Sequence, residues 1–190
     1  VIDGRTSDDS RKFAKQLSGQ IIDQRETHGK GAAIQQAVQF WMENPTSFTV
    51  FLDADGSYSF ESVRLIVEKL THGSDVVSGS RFLSKKHRPD GMSRLHYLGN
   101  IALSKISSVR NRRKISDLCT GLWGFNFNAL NSLNISSQGF DLEAEIAGLI
   151  RRNKLKHEEI SVSWSQRKGG TSKLNSIRDG TIILLRILRT

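Results

Sequence analysis

Short apolar runs that end in polar turns alternate along this chain with segments of helical periodicity, and that alternation constrains the fold more than any other feature. A strand, a crossover helix and a second strand return to one sheet with fixed handedness, so repeated βα units predict a mainly parallel α/β sheet flanked by helices. Strands are expected over Val1 to Asp3, Gln20 to Asp23, Phe48 to Asp53, Asp75 to Gly79 and Glu159 to Trp164. Helices are expected over Asp8 to Leu17, Lys30 to Met42, Phe60 to Thr71, Leu95 to Val109, Leu142 to Asn153 and Ser176 to Leu188. In the helix from Phe60, the residues Val63, Ile66, Val67 and Leu70 share one face, while Arg64, Glu68 and Lys69 fall off it. The opening Val1-Ile2-Asp3-Gly4 reads as the end of a buried strand running into a turn, so an upstream strand and helix are expected to be missing.

The chain has 190 residues with 37% hydrophobic content, no internal repeat and no Pro/Gly-rich linker, which predicts one domain over residues 1–190. Lys and Arg total 28 against 19 Asp and Glu, a formal charge of +9, so an anionic partner is expected. A nucleic acid is excluded as that partner, because no basic stripe is interleaved with aromatics and no zinc, RRM or helix-turn-helix pattern occurs. Cys119 is the single cysteine, which rules out an intramolecular disulfide and reads as a small core residue.

Asp53 and Asp55 end the apolar run Thr49-Val50-Phe51-Leu52, and ligands bind beyond the carboxyl ends of strands in α/β sheets. Hard cations take one or two carboxylates together with a substrate diphosphate, so Asp53-Ala54-Asp55 reads either as a clamp for Mg²⁺ or Mn²⁺ or as a solvated turn. Lys30, in Gly29-Lys30-Gly31-Ala32-Ala33, opens a helix among small residues; that segment contacts a phosphate or packs tightly. Arg81 ends the strand from Asp75, Arg94 lies a loop further on, and Gln166 to Lys173 combines three cations with two glycines. Arginine suits bidentate phosphate recognition, against which stands the reading of each as a surface charge.

In order along the chain, these segments resemble family 2 glycosyltransferases, within them the dolichol-phosphate mannose synthase-like or polyprenyl-phosphate branch. Val1-Ile2-Asp3-Gly4-Arg5-Thr6-Ser7-Asp8 is similar to the family's Val-Asp-Asp-Gly-Ser-Thr-Asp turn, Gly29-Lys30-Gly31 to its Gly-Lys-Gly and Asp53-Ala54-Asp55 to its Asp-x-Asp. Gly79-Ser80-Arg81, the Asp117 to Phe125 segment, and Arg167 with Gly170, Ser172 and Lys173 match three further motifs. The resemblance implies a GT-A (Rossmann-like) fold and a hexose moved with inversion from a nucleotide-diphosphate sugar, GDP-mannose or UDP-glucose, to a polyprenyl or dolichyl phosphate. It implies that Asp3 holds the nucleotide, that Asp53 and Asp55 hold the cation, and that Arg81, Arg94, Arg167, Ser172 and Lys173 surround donor and acceptor phosphates. Asp117 joins Asp53, Asp55 and Arg81 as an expected catalytic residue, and Lys30 joins the substrate-binding set. Ile2, Arg5 and Ser57 depart from the pattern; the first two leave the base of the nucleotide unspecified, and Ser57 stands where close synthases put a Gln near the metal.

The terminal segment, about residues 176–189, predicts an amphipathic basic helix: Ile177, Thr181, Leu184, Leu185 and Leu188 on one face, Arg178, Arg186 and Arg189 on another. That fits peripheral contact with the cytoplasmic face of a membrane, or packing on the domain; no stretch reaches the roughly 18 to 20 apolar residues that cross a bilayer. An alternative is transfer to a polysaccharide or soluble acceptor, with Asp117 or a carboxylate of Gly139-Phe140-Asp141-Leu142-Glu143-Ala144-Glu145 as general base. A non-catalytic sugar-nucleotide binder is a further alternative.

Overall fold

A computed structural model describes residues 2–3, 9–16, 20–24, 29–84, 88–166 and 174–190. The elements run β1 (Ile2–Asp3), α1 (Ser10–Gln16), β2 (Asp23–Gln24), α2 (Lys30–Glu43), β3 (Phe48–Leu52), α3 (Phe60–Thr71), β4 (Val76–Ser80), α4 (Arg94–Asn111), β5 (Leu122–Asn126), α5 (Phe127–Ser132), α6 (Leu142–Arg152), β6 (His157–Ser161) and α7 (Ser176–Arg189). β1 pairs in parallel with β2. The other four strands form a sheet in the order β3-β5-β4-β6.

The expected mainly parallel sheet is corrected to a mixed one. β5 runs antiparallel to both neighbours, β3 and β4, while β4 and β6 are parallel, so β3, β4 and β6 share one direction and β5 opposes them. β5 and α5 are absent from the sequence reading, because Leu122-Trp123-Gly124-Phe125-Asn126 contains a residue that strands disfavour. Gly124 is there for packing: a Cβ on it would lie 2.1 Å from Ile66 Cγ2 of α3. β6 lies two to three residues earlier than expected, and its polar start has a use. The Glu159 carboxylate accepts from the Ser116 amide at 2.9 and 3.0 Å.

One face of the sheet packs on α3 through Ile66, Leu70, Val77, Leu122, Ile160 and Val162. The opposite face holds a larger core in which Val76, Trp123 and Phe125 meet Trp41 of α2, Leu130 of α5 and Leu142, Ile146 and Ile150 of α6. A third cluster joins α6, α7 and the segment before β5 through Ile115, Leu118, Ala144, Ala147, Ile183 and Ile187. α6 is therefore enclosed, and every residue from Leu142 to Ile150 is buried. α3 starts where expected because the Ser59 hydroxyl accepts from the Ser62 amide at 3.3 Å, an N-cap interaction.

His157 stacks on Trp123, with ring centroids 5.8 Å apart, and its Nε2 lies 2.8 Å from Ser78 Oγ. Burial lowers its pKa to about 4, and the positive charge of Arg113 pushes the same way. The native state thus holds neutral imidazole, and below the ordinary histidine pKa the unfolded chain takes up the proton first. Stability is full above that value and is lost as pH falls towards 4. Acidification from about pH 7 to about pH 5 is expected to cost about 2 kcal/mol through this group. Urea unfolding of His157→Gln should show a flatter pH dependence over that range; an unchanged slope would remove His157 from the account.

Candidate active site

β3 and β4 deliver their carboxyl ends, and antiparallel β5 its amino end, to one edge of the sheet. Asp53 follows β3 directly, and its amide donates to the Gly121 carbonyl at 3.2 Å, which ties it to the start of β5. Gly121 is required by that approach: a Cβ there would stand 1.9 Å from Asp53 Oδ2. Two residues on, Asp55 Oδ1 accepts from the Ser57 amide at 3.0 Å around Gly56, whose φ of +77° suits glycine. The two carboxylates thus stand on one short turn at the sheet edge.

α2 supplies the counter-charge. Lys30, its first residue, places Nζ 3.0 Å from Asp53 Oδ1 and 2.7 Å from Glu143 Oε1 in the first turn of α6. Burial alone would lower the pKa of the Lys30 ammonium, but the Glu143 and Asp53 carboxylates outweigh it and hold it above the usual lysine range. The flanking glycines serve packing, the second of the two roles the sequence allowed. Cβ atoms on Gly29 and Gly31 would meet the carbonyl oxygens of Gln138 and Ser137 at 2.2 and 2.1 Å, and the Ala32 amide donates to Gln138 O at 3.2 Å. That contact fixes the start of α2 against the segment leading into α6.

Arg81 and Asp117, both expected near the reaction, are bound to each other. Arg81 Nε and Nη2 donate to Asp117 Oδ2 and Oδ1 at 2.6 and 2.7 Å, and the Arg81 amide donates to Oδ2 at 3.0 Å. Asn100 Nδ2 fills the remaining position on Oδ1 at 2.7 Å. Four donors saturate a carboxylate. Arg81 Nη2 also reaches the Cys119 carbonyl at 2.8 Å, and Tyr58 Oη accepts from the Gly121 amide at 2.9 Å. The pair therefore braces the segment 117–121 that backs Asp53. Cys119 is held there as an unreactive thiol, its pKa pushed up to about 12 by burial and by the Glu143 and Asp117 charges.

The remaining carboxylates of the Gly139 to Glu145 segment face away from Lys30. Asp141 Oδ2 and Glu145 Oε1 accept from Arg186 at 2.7 and 3.3 Å, and Glu145 Oε2 accepts from the Ser137 amide at 2.7 Å. Arg186, counted in the sequence with outward cations, is thereby corrected to an internal partner. Arg94 opens α4 and is exposed, with no hydrogen bond or ion pair among the described residues. The nearby Gly91 turn lies against Gln166: a Cβ there would meet Gln166 Oε1 at 2.8 Å. Arg167, Ser172 and Lys173 lie outside the described residues, and of Asp3 only the backbone is described, in β1.

The sequence reading lacked the Lys30 link to Glu143 and the roles of Gly121 and Asn100. Glu143 sits 113 positions from Lys30, and periodicity carries no signal at that range. Among the described residues no group of three His, Cys, Asp or Glu side chains forms a ready metal cage. The Asp53 and Asp55 pair instead fits a cation that completes its shell with water and phosphate oxygens.

A profile of glycosyl transferase family 2 matches residues 1–133. The glycosyltransferase AglJ of Haloferax volcanii is 30% identical over 190 residues, an alignment covering 100% of this chain and 61% of that protein. The dolichyl-phosphate hexose transferase of the same organism is 26% identical over 183 residues, 96% of this chain and 75% of its own length. Glucosyl-3-phosphoglycerate synthase from Mycobacterium tuberculosis superposes with a TM-score of 0.70 at 15% identity, over 97% of this chain and 65% of that one. A second structure of that synthase, holding Mn²⁺, UDP-glucose and glycerol 3-phosphate, superposes with a TM-score of 0.65 at 14% identity over 98% and 64%. The chain thus spans less than two thirds of AglJ and of the synthase. The structural likeness shows the GT-A-like α/β fold, and the profile covers most of the sequence: the chain belongs to glycosyl transferase family 2.

Proposed function

We propose that this chain is the catalytic core of a metal-dependent inverting hexosyltransferase that uses a nucleotide-diphosphate sugar and a polyprenyl or dolichyl phosphate as acceptor. The observation that carries the acceptor is the commitment of the acids around the site. Asp117, Asp141 and Glu145 are held by Arg81, Arg186, Asn100 and backbone amides, and Glu143 by Lys30. A hydroxyl acceptor needs a general base to take its proton, whereas a phosphate monoester arrives ionised and needs none. The names of relatives, a dolichyl-phosphate hexose transferase and a polyprenol monophosphomannose synthase, support the same acceptor class.

Asp53 and Asp55 would hold Mg²⁺ or Mn²⁺, in keeping with the Mn²⁺ and UDP-glucose bound by the synthase of like fold. Held by Asp53 and Asp55, such a cation would supply positive charge to the departing nucleoside diphosphate. Lys30 holds Asp53 in place and carries a positive charge towards the donor. Glu143 keeps that ammonium oriented. Arg81 and Asp117 act by position, fixing the segment behind Asp53. Asp3, Arg167, Ser172 and Lys173 are assigned to donor and acceptor phosphates, and Arg94 to the acceptor side. A lipid acceptor places the protein at the cytoplasmic membrane face, for which the exposed Arg178 and Arg189 of α7 are suited; among the described residues no helix is long and apolar enough to cross a membrane.

The test is thermal unfolding of the full chain with GDP-mannose and UDP-glucose, each with and without Mn²⁺. At about 100 times the dissociation constant, a bound donor stabilises by roughly 2.7 kcal/mol, a rise of roughly 5–10 °C. One donor should give that shift with Mn²⁺ only, and product analysis should then find sugar on polyprenyl phosphate and not on free sugars. A metal-independent shift, or transfer to free sugars, would overturn the assignment.

A further inference from the structure

α4 is built inside out. Its buried residues are Asn100, Ser104, Ser107 and Asn111. Those side chains are spent on hydrogen bonds: Asn100 to Asp117, Ser104 Oγ accepting from the Leu118 amide at 2.9 Å, and Asn111 Nδ2 donating to Ser107 O and Oγ at 3.0 Å each. The exposed residues include Leu95, Leu98, Ile106 and Val109, with Leu98 63% and Val109 81% accessible. At about 100° per residue, Leu98, Val109, Ala102, Leu95 and Ile106 fall within roughly 80° of arc. They form one stripe along a helix of 18 residues. A helix on a soluble domain turns such a stripe inward, and single exposed apolar residues need no explanation where a continuous stripe does.

α7 packs against α4 and adds to the surface. It buries Ile183 and Ile187 and exposes Ile177, Ile182, Leu185 and Leu188 alongside Arg178 and Arg189.

Charge decides what covers the stripe. No Asp or Glu occurs from Arg94 to Lys114. On the helical wheel Arg94 and Lys105 border one side of the stripe and Arg110 the other, and the exposed Arg112 and Lys114 follow its end. A second copy of the chain would set these cations against themselves. An anionic lipid surface satisfies both components, acyl chains taking the stripe and headgroups the cations. Each basic residue held near such a leaflet strengthens binding roughly fivefold.

We infer that α4, extended by the outward face of α7, docks this protein in the plane of an anionic lipid surface. This goes beyond the acceptor assignment, and the stripe and cations of α4, with the outward face of α7, carry it.

Co-sedimentation with phosphatidylcholine vesicles, with and without phosphatidylglycerol, tests it. The wild-type chain should bind the anionic vesicles and release as salt rises. Leu98→Glu with Val109→Glu should weaken that binding about tenfold or more while leaving the unfolding temperature unchanged, because these are the two most exposed side chains of the stripe. Should the pair prove unstable, Val109→Glu alone serves at the most exposed position. Undiminished binding by the variant would overturn the inference, as would wild type that ignores the vesicles. A wild-type dimer split by the variant without vesicle binding would assign the stripe to a second copy instead. Transfer to a short-chain, water-soluble isoprenyl phosphate separates the two readings: it should persist in the variant, and its absence in wild type would count against the acceptor assignment alone.

Discussion

Replacing Asp117 by Ala is expected to lower the stability of this domain by about 3–5 kcal/mol. The carboxylate is fully buried and accepts from both forks and the amide of Arg81 and from Asn100, so its loss leaves a guanidinium that is itself only 11% exposed without its counter-charge. Burial alone would lower the pKa of Arg81, but Asp117 outweighs it and keeps the group charged, which makes the orphaned state costly. Urea unfolding with an unchanged slope should report the loss, and Arg81→Leu combined with Asp117→Leu should cost less than the sum of the single changes. Asp117→Asn separates positioning from catalysis. A general base would fold normally and lose turnover; a brace loses stability first. A stability change in Asp117→Ala below about 1 kcal/mol would refute the brace.

Asp53→Ala is expected to lower sugar transfer by roughly 10²–10³-fold, the loss that follows removal of one preorganised electrostatic group. The same substitution frees Lys30 from one of its two carboxylates and should abolish the Mn²⁺-dependent part of the thermal shift with donor. Gly121→Ala should reproduce both losses without altering any charge, since its Cβ would occupy the space of Asp53 Oδ2. Full transfer by Asp53→Ala, or by wild type in excess chelator, would sink the metal assignment.

Local order was legible in the sequence where one short segment carries the whole signal. α3 begins and ends at the residues its periodicity predicts, although Val67, counted in its apolar stripe, stays 36% exposed while Ile66 and Leu70 are buried. Asp53 and Asp55 stand out because a strand end and two acids are contiguous. β5 was hidden because Gly124 weakens its strand signature, and the glycine is explained only by Ile66 on a helix far back in the chain. Pairings across long separations were equally silent. Arg81 and Asp117 are 36 positions apart, and alone the one reads as a phosphate ligand and the other as a general base. For α4 the sequence reading assigned no face, and the usual rule that an apolar stripe turns inward fails there: α4 needs its polar face inward to hold the segment from Ile115 to Cys119.

The antiparallel insertion of β5 also governs how this sheet can be assembled. Among the described residues β3 is hydrogen-bonded only to β5, so the carboxylates at the end of β3 join the rest of the sheet through a strand made some seventy positions later. A chain emerging in order completes β3 and β4 first, and neither has its neighbour in this sheet until β5, the strand that lies between them, arrives. Closing that interval is a long-range event, the kind that slows folding, and until it happens two apolar strands have unpaired edges. Nascent or shortened forms ending before Leu122 would hold the halves of the donor site on separate pieces of sheet, exposed to mispairing with other chains.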